Sequence, residues 1–171
     1  MLVMTDAELV AAVADGNSAA LRLLHERHAP WLAVRLSKRC GDRSIVDEVI
    51  QDTFVSVWKS ARKYRGEGEV GAWLWSIAIR RLVDVFRRSR FSFPERPSWF
   101  RSAEEEVLLG VGYGNLGDAL NRLSPELLAV VQATILDGLS TREAALFLGI
   151  PAGTVKTRLM RAKRILREQL T

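Results

Sequence analysis

Three groups of residues have types and spacings that could do chemistry. His25 and His28 share a face at helical spacing, with Cys40 some turns away, a set that could suggest zinc. No fourth ligand is spaced to close a tetrahedral site, so helix packing is the better reading. Gly66, Gly68 and Gly71 crowd one stretch but lack the following Lys and Ser or Thr of a phosphate-cradling loop. No catalytic constellation, metal set or cofactor motif emerges. The third group is basic: Lys156, Arg158, Arg161 and Lys163, interleaved with Gly153, Thr154 and Thr157 near the C-terminus. Its chemistry is recognition of a polyanion rather than bond breaking.

Two helices must position that group. Ser140 followed by Glu143 is a capping box, which starts a helix through Ala144, Ala145 and Phe147 to Leu148 and ends it at Gly149. After the turn at Gly149 and Ile150, Pro151 suits the first position of a second helix that meets no breaker before the chain ends. This is the pattern of a helix-turn-helix. On the second helix Val155, Leu159, Ala162, Ile165 and Leu166 should face inward. From Pro151 to Arg167 there are six Lys or Arg and no acid. Small hydroxyl residues stand near the N-terminal end, where a recognition helix meets base edges in the major groove. The alternative is a solvated cationic helix of a bundle.

The 171 residues carry a net charge of +5, which favours a polyanionic partner, with nucleic acid foremost. The single Cys40 cannot form an internal disulfide, and a capping pair, Thr5 and Glu8, stands where a leader would lie, so a cytoplasmic setting is expected. The most apolar run, Trp73 to Ile79, is far below the roughly 20 residues needed to cross a bilayer, so no membrane insertion is expected.

Nearly every apolar pattern has a period near 3.6, which predicts an all-α chain. Helices are expected at Thr5 to Asp15, closed by Gly16; at Ser18 to Cys40, ended by Gly41; and from Ser44 and Asp47 to about Lys63. The third should bury Val46, Val49, Ile50, Thr53 and Val57. Its other side collects Asp47, Glu48, Gln51, Asp52, Val55, Trp58 and Lys59. An acidic stripe would repel DNA, whereas Val55 and Trp58 beside it could anchor a protein partner; the competing reading is a solvated face. Arg62, Lys63, Tyr64 and Arg65 open a glycine-containing polar loop to Gly71. A fourth helix, about Ala72 to Ser89, should point Leu74, Ile77, Ala78, Leu82 and Val85 inward and leave Ser76, Arg80, Asp84, Arg87 and Arg88 outside. Loop and helix, with Tyr64, Trp73 and Trp75, could hold a strand whose bases are turned out and stacked, although for each aromatic singly core packing is the stronger reading. Residues 91–115, with Pro94, Pro97, Phe91, Phe93, Trp99 and Phe100, read as a linker. Asp118 to Leu123 is a short helix, and Ser124-Pro125 caps a longer one reaching Gly138.

Taken together, Asp47-Glu-Val-Ile-Gln-Asp-Thr-Phe-Val-Ser-Val-Trp58, Tyr64-Arg-Gly, the run from Trp73 to Arg88, and Leu123-Ser-Pro-Glu onward through Gly153-Thr-Val-Lys-Thr-Arg resemble a bacterial extracytoplasmic-function (ECF, group 4) sigma factor. The resemblance implies two small helical domains: region 2 at 1–90 and region 4 at 116–171, joined by a linker at 91–115. It implies core RNA polymerase as partner, with Asp47, Glu48, Gln51, Asp52, Val55 and Trp58 docking on the clamp helices of the largest subunit and region 4 resting on the flap of the second-largest. It implies that Arg62, Lys63, Tyr64, Arg65, Trp73, Ser76, Arg80, Asp84, Arg87 and Arg88 serve the −10 element and its extruded base. Gly153, Thr154, Lys156, Thr157, Arg158 and Arg161 match the −35 reader. Relatives often carry Asn where this chain has Arg80, and many are held by an anti-sigma factor. The competing class is a stand-alone LuxR-like regulator, whose C-terminal pattern is similar but which has no use for the Asp47 to Trp58 stripe; a metal-dependent enzyme around His25 and His28 is the third.

Overall fold

The computed structural model describes residues 3–88 and 115–171. Among them all regular structure is helical. The chain divides into two compact units, Met1–Arg88 and Ser89–Thr171. The expected linker, with Phe91, Phe93, Trp99 and Phe100, lies outside the described residues except for Asn115.

The first unit holds α1 (Asp6–Ala14), α2 (Ser18–Ser37), α3 (Arg43–Ser60), a 3-10 turn at Ala61–Lys63, and α4 (Val70–Arg88). The Thr5 and Glu8 capping box opens α1, as expected. The remaining ends depart from the sequence reading in instructive ways. Helix α2 stops at Ser37, ahead of Gly41, because the chain turns inward there: Arg39 is only 2% exposed and its guanidinium lies 4.8 Å over the Trp75 ring. The cap of α3 is Asp42, whose carboxylate accepts from the Ser44 and Ile45 backbone N–H groups. Ser44, the expected start, donates its hydroxyl to Asp42 instead, at 2.8 Å. These bonds, the Ser44 hydroxyl foremost, hold the Asp42 carboxyl below its usual pKa. Near its end α3 tightens into the 3-10 turn, and the Ser56 and Ser60 hydroxyls bond back to carbonyls four residues earlier.

The core of this unit is built from Leu9, Leu24, Leu32, Leu36, Val49, Val57, Leu74, Ile79 and Leu82, all at 0% exposure. The expected inner stripe of α3 is buried throughout. Helix α4 buries more than one stripe: Leu74, Ala78 and Leu82 are joined by Trp75, Ile79, Val83 and Phe86, whereas Ile77 and Val85 are half-buried. It packs on both α3 and α2, so two of its faces are consumed.

A polar cluster ties α1 to α2. His28 is buried, and its Nδ1 accepts from the Trp31 indole at 2.8 Å, so its Nε2 carries the proton given to Asp6, also at 2.8 Å. Arg27 reaches the other Asp6 oxygen at 2.6 Å and the Met4 carbonyl at 3.1 Å. Burial pushes the Asp6 carboxyl up, but Arg27 and His28 outweigh it and hold the pKa below its ordinary value. His28 is thereby engaged in the fold, and His25 lies ring to ring with Phe54 at 4.7 Å.

The second unit runs α5 (Asn115–Asn121), α6 (Pro125–Val131) with a π turn at Gln132–Leu136, α7 (Thr141–Leu148) and α8 (Ala152–Leu170). Helix α5 begins and ends earlier than the sequence reading placed it. Ser124 caps α6 with Pro125 at its first turn, and Ser140 with Glu143 forms the expected capping box of α7. Gly149 ends α7 in the left-handed region at φ +66°, and Ile150 N–H reaches back to the Ala145 carbonyl at 3.1 Å. Pro151 is the N-cap of α8 rather than its first residue. Leu120, Leu123, Leu128 and Val131 pack on Ala162 and Leu166 of α8.

Three substitutions test these contacts by their effect on stability. Asp6→Asn should cost on the order of 1 kcal/mol in urea unfolding at neutral pH, discounted for partial exposure. Because the folded pKa is depressed, that contribution is complete above about pH 4 and fades as pH falls through the folded value, so wild type and variant should converge in acid. Gly149→Ala places a side chain at φ +66° and should lower the stability of the second unit by about 1 kcal/mol. Gly153→Ala, whose added Cβ meets nothing within 4 Å, should instead raise it by about 0.4–1 kcal/mol, both glycine variants being compared with wild type by thermal unfolding.

Candidate nucleic-acid and protein interfaces

The outer face of α3 is as polar and apolar by turns as its period suggests. Asp47, Glu48 and Gln51 are exposed and Asp52 is half-buried. Val55 and Trp58 are 47% and 42% exposed, side by side on one face, and each would gain about 2 kcal/mol or more on full burial. They form one wall of an open groove of about 900 Å³ between α2 and α3. The facing wall comes from α2: Leu21, His25, Ala29, Pro30 and Ala33, with Glu26 at its rim. Pro30 has no N–H for the Glu26 carbonyl, which interrupts the helix bonding on that wall. The sequence reading missed this half of the groove. On a helical wheel small and apolar residues of α2 look like core, and nothing local says that α3 packs beside them without covering them. The groove combines a carboxylate rim with an apolar floor, so it suits a protein surface carrying cations around an apolar patch and is unsuited to a phosphate backbone.

The second site is the loop after α3 and the outer strip of α4. Arg62, Lys63 and Arg65 are exposed, and Arg62 donates from Nε to the Ala14 carbonyl at 3.2 Å, which anchors the turn to the end of α1. Tyr64 and Trp73 lie ring to ring at 4.9 Å, tilted by 42°, and the Tyr64 hydroxyl donates to the Gly68 carbonyl at 2.9 Å. Gly66 and Gly68 take positive φ values of +71° and +79°. Ser76 bonds the Trp73 carbonyl, and Arg80 donates to the Ser76 carbonyl at 3.0 Å. Asp84 sits 3.9 Å from both Arg81 and Arg87, long and exposed pairings that soften the charge of the strip without cancelling it. Arg87 and Arg88 close the helix in solvent.

Trp75 does not join Tyr64 and Trp73. It is 4% exposed, with Arg35 at 4.1 Å and Arg39 at 4.8 Å over its ring, a buried cation and aromatic contact between α2 and α4. A base cannot reach it.

The third site is α8. Gly153, Lys156, Thr157 and Arg161 are exposed, Thr154 and Arg158 half-buried. Val155 and Ala162 are at 0% exposure against the rest of the unit, which fixes the rotation of the helix. The Thr157 hydroxyl donates to the Gly153 carbonyl at 3.0 Å and keeps its lone pairs for an incoming donor. The N-terminal turn, which has no side-chain cap and no acid, is where an anionic groove is met most favourably.

Comparison with known proteins places this geometry. Residues 24–91 match the family described as Sigma-70 region 2, and residues 113–166 match Sigma-70, region 4. The ECF RNA polymerase sigma factor SigL of Mycobacterium tuberculosis is 32% identical over 92% of this chain and 93% of its own. SigM of the same organism is 32% identical over 93% of this chain and 81% of its own. Among solved structures, CnrH in complex with the cytosolic domain of CnrY is 30% identical, covering 96% of both chains at a TM-score of 0.46. With both region profiles in order and a relative this similar along nearly its full length, the chain belongs to the ECF RNA polymerase sigma factors.

Proposed function

We propose that this sigma factor divides its work among the three surfaces, one for the polymerase and two for the promoter. The α2–α3 groove, with Asp47, Glu48, Gln51, Asp52, Val55 and Trp58, docks on the clamp helices of the largest subunit of core RNA polymerase. The loop and α4 strip, from Arg62, Lys63, Tyr64 and Arg65 through Trp73, Ser76 and Arg80 to Asp84, Arg87 and Arg88, serve the −10 element. The α8 face, with Gly153, Thr154, Lys156, Thr157, Arg158 and Arg161, reads the −35 duplex, while its domain rests on the flap of the second-largest subunit. The observation that carries this reading is the segregation of charge: an acidic, apolar groove sits on the same chain as two basic faces. A stand-alone regulator would leave the groove without a use. No helix among the described residues is long and apolar enough to cross a membrane. In the proposed reading the work is done where the polymerase is, in the cytoplasm.

Neither promoter-facing surface need bind tightly alone. Docking on polymerase fixes both at the spacing of the two promoter boxes, so the second contact forms at a raised effective concentration. Melting costs a few kcal/mol per unstacked base, which capture of an extruded base offsets. The bond-forming chemistry belongs to the polymerase, and this chain contributes binding and placement.

Reconstitution with core polymerase on a promoter library tests the whole reading: specific transcripts support it, and absence of association would sink it. Arg158→Ala or Arg161→Ala should cost about 1–3 kcal/mol and relax preference at one −35 position if the side chain grips a base edge. Equal losses on every promoter would mark a phosphate contact instead, with a salt dependence shallower by about one ion. Trp58→Ala should weaken polymerase affinity while the thermal transition stays in place; unchanged affinity would reject the assigned groove.

A further inference from the structure

The loop between the 3-10 turn and α4 has two glycines in left-handed conformations and a predominantly exposed backbone, yet it is held by specific contacts. At its start, Tyr64 N–H reaches the Ala61 carbonyl at 3.2 Å; at its end, Trp73 N–H reaches the Glu69 carbonyl at 3.1 Å. Across its middle runs the bond from the Tyr64 hydroxyl to Gly68, at 2.9 Å. The Tyr64 ring meanwhile lies against Trp73, on the first turns of α4. Neither Gly66 nor Gly68 has an atom within 4 Å of where a Cβ would be, so no packing enforces their conformations. Their shape must come from the contacts at the loop's ends and from the bond across it.

Tyr64 has therefore committed its hydroxyl proton to the loop and one ring contact to α4. We infer that Tyr64 is a positioning residue of the −10 site: it does not read the extruded base but fastens Arg65 to Glu69 against the start of α4, so that the receiving surface exists before the base arrives. This rests on the −10 reading given above and refines it, moving Tyr64 from the reading residues to the scaffold behind them. A loop ordered in advance spares the complex the entropy of ordering it on binding, and that saving is the same for every base.

Tyr64→Phe isolates the claim, because it keeps the ring against Trp73 and removes only the hydroxyl. The full chain bound to core polymerase is assayed with single-stranded oligonucleotides carrying the −10 non-template sequence, each of the four bases being placed in turn at the extruded position. Amide hydrogen exchange is followed in parallel. The expected result is unchanged polymerase affinity and an oligonucleotide affinity lower by about three- to tenfold, the equivalent of one neutral hydrogen bond. The loss should be the same for all four bases, and exchange should be faster at Arg65 to Glu69 but not inside α3 or α4. A loss confined to one base with exchange unaltered would overturn the inference, since the hydroxyl would then touch the base. Faster exchange with unaltered affinity would overturn it too, because loop order would not matter to binding. Failure of the unmodified chain to bind polymerase, or to bind any oligonucleotide once docked, would refute the underlying assignment instead.

Discussion

The first unit is constrained above all by how much of α4 must be buried. Packed on α3 along one side and α2 along another, it hides Leu74, Trp75, Ala78, Ile79, Leu82, Val83 and Phe86. What remains is a strip about two residues wide, running from Trp73 through Ser76 and Ile77, Arg80 and Arg81, and Asp84 and Val85 to Arg87 and Arg88. Every group that could meet a nucleic acid on this helix has to come from that strip. The buried contact of Trp75 with Arg35 and Arg39 shows the same economy: two arginines that sequence alone would add to a basic surface are turned inward to α4.

Charge is sorted by element as a result. Helix α3 exposes Asp47 and Glu48 with Asp52 half-buried, Glu26 faces them across the groove, and basic groups collect on the loop, on α4 and on α8. The sorting has a physical use. An acidic rim mixed into a DNA-facing strip would cost affinity for phosphate, and cations inside the groove would repel a cationic protein partner. On α4 the exception is Asp84, bracketed by Arg81 and Arg87, and the loop before this helix also exposes Glu67 and Glu69.

Local signals were the legible ones. Both capping boxes, the Ser124-Pro125 start and the left-handed Gly149 depend on a few neighbouring residues, and the sequence reading found each of them. It was misled where two neighbouring residues compete for one role or where a longer-range contact decides. Ser44 resembles a cap as much as Asp42 does until the Asp42 carboxylate is seen taking both backbone N–H groups and the Ser44 hydroxyl. Gly41 resembles a stop, yet α2 ends earlier because Arg39 and Cys40 are drawn inside. The breadth of burial on α4 was underestimated because periodicity registers one packed face and this helix has two. The α2 wall of the groove went unseen for the converse reason: Ala29 and Ala33 look like core, and only the way the next helix, α3, sits beside α2 leaves them lining a surface.

The two parts proposed to face the promoter are ordered by different means, and their proposed targets explain why. Helix α8 is a single 19-residue element whose inner residues, Val155, Ala162 and Leu166, belong to the core of its unit, so its outer face cannot turn without disturbing that core. A duplex groove is present before binding and has a fixed shape, which a rigid reader matches at little entropic cost. A base leaving a stack arrives with torsional freedom, and the part that receives it must let backbone come close. Glycines at positive φ allow that approach but are themselves free in solution. The contacts of Tyr64 with Trp73 and Gly68, and of Arg62 with the end of α1, therefore supply in this loop the order that buried apolar packing supplies in α8.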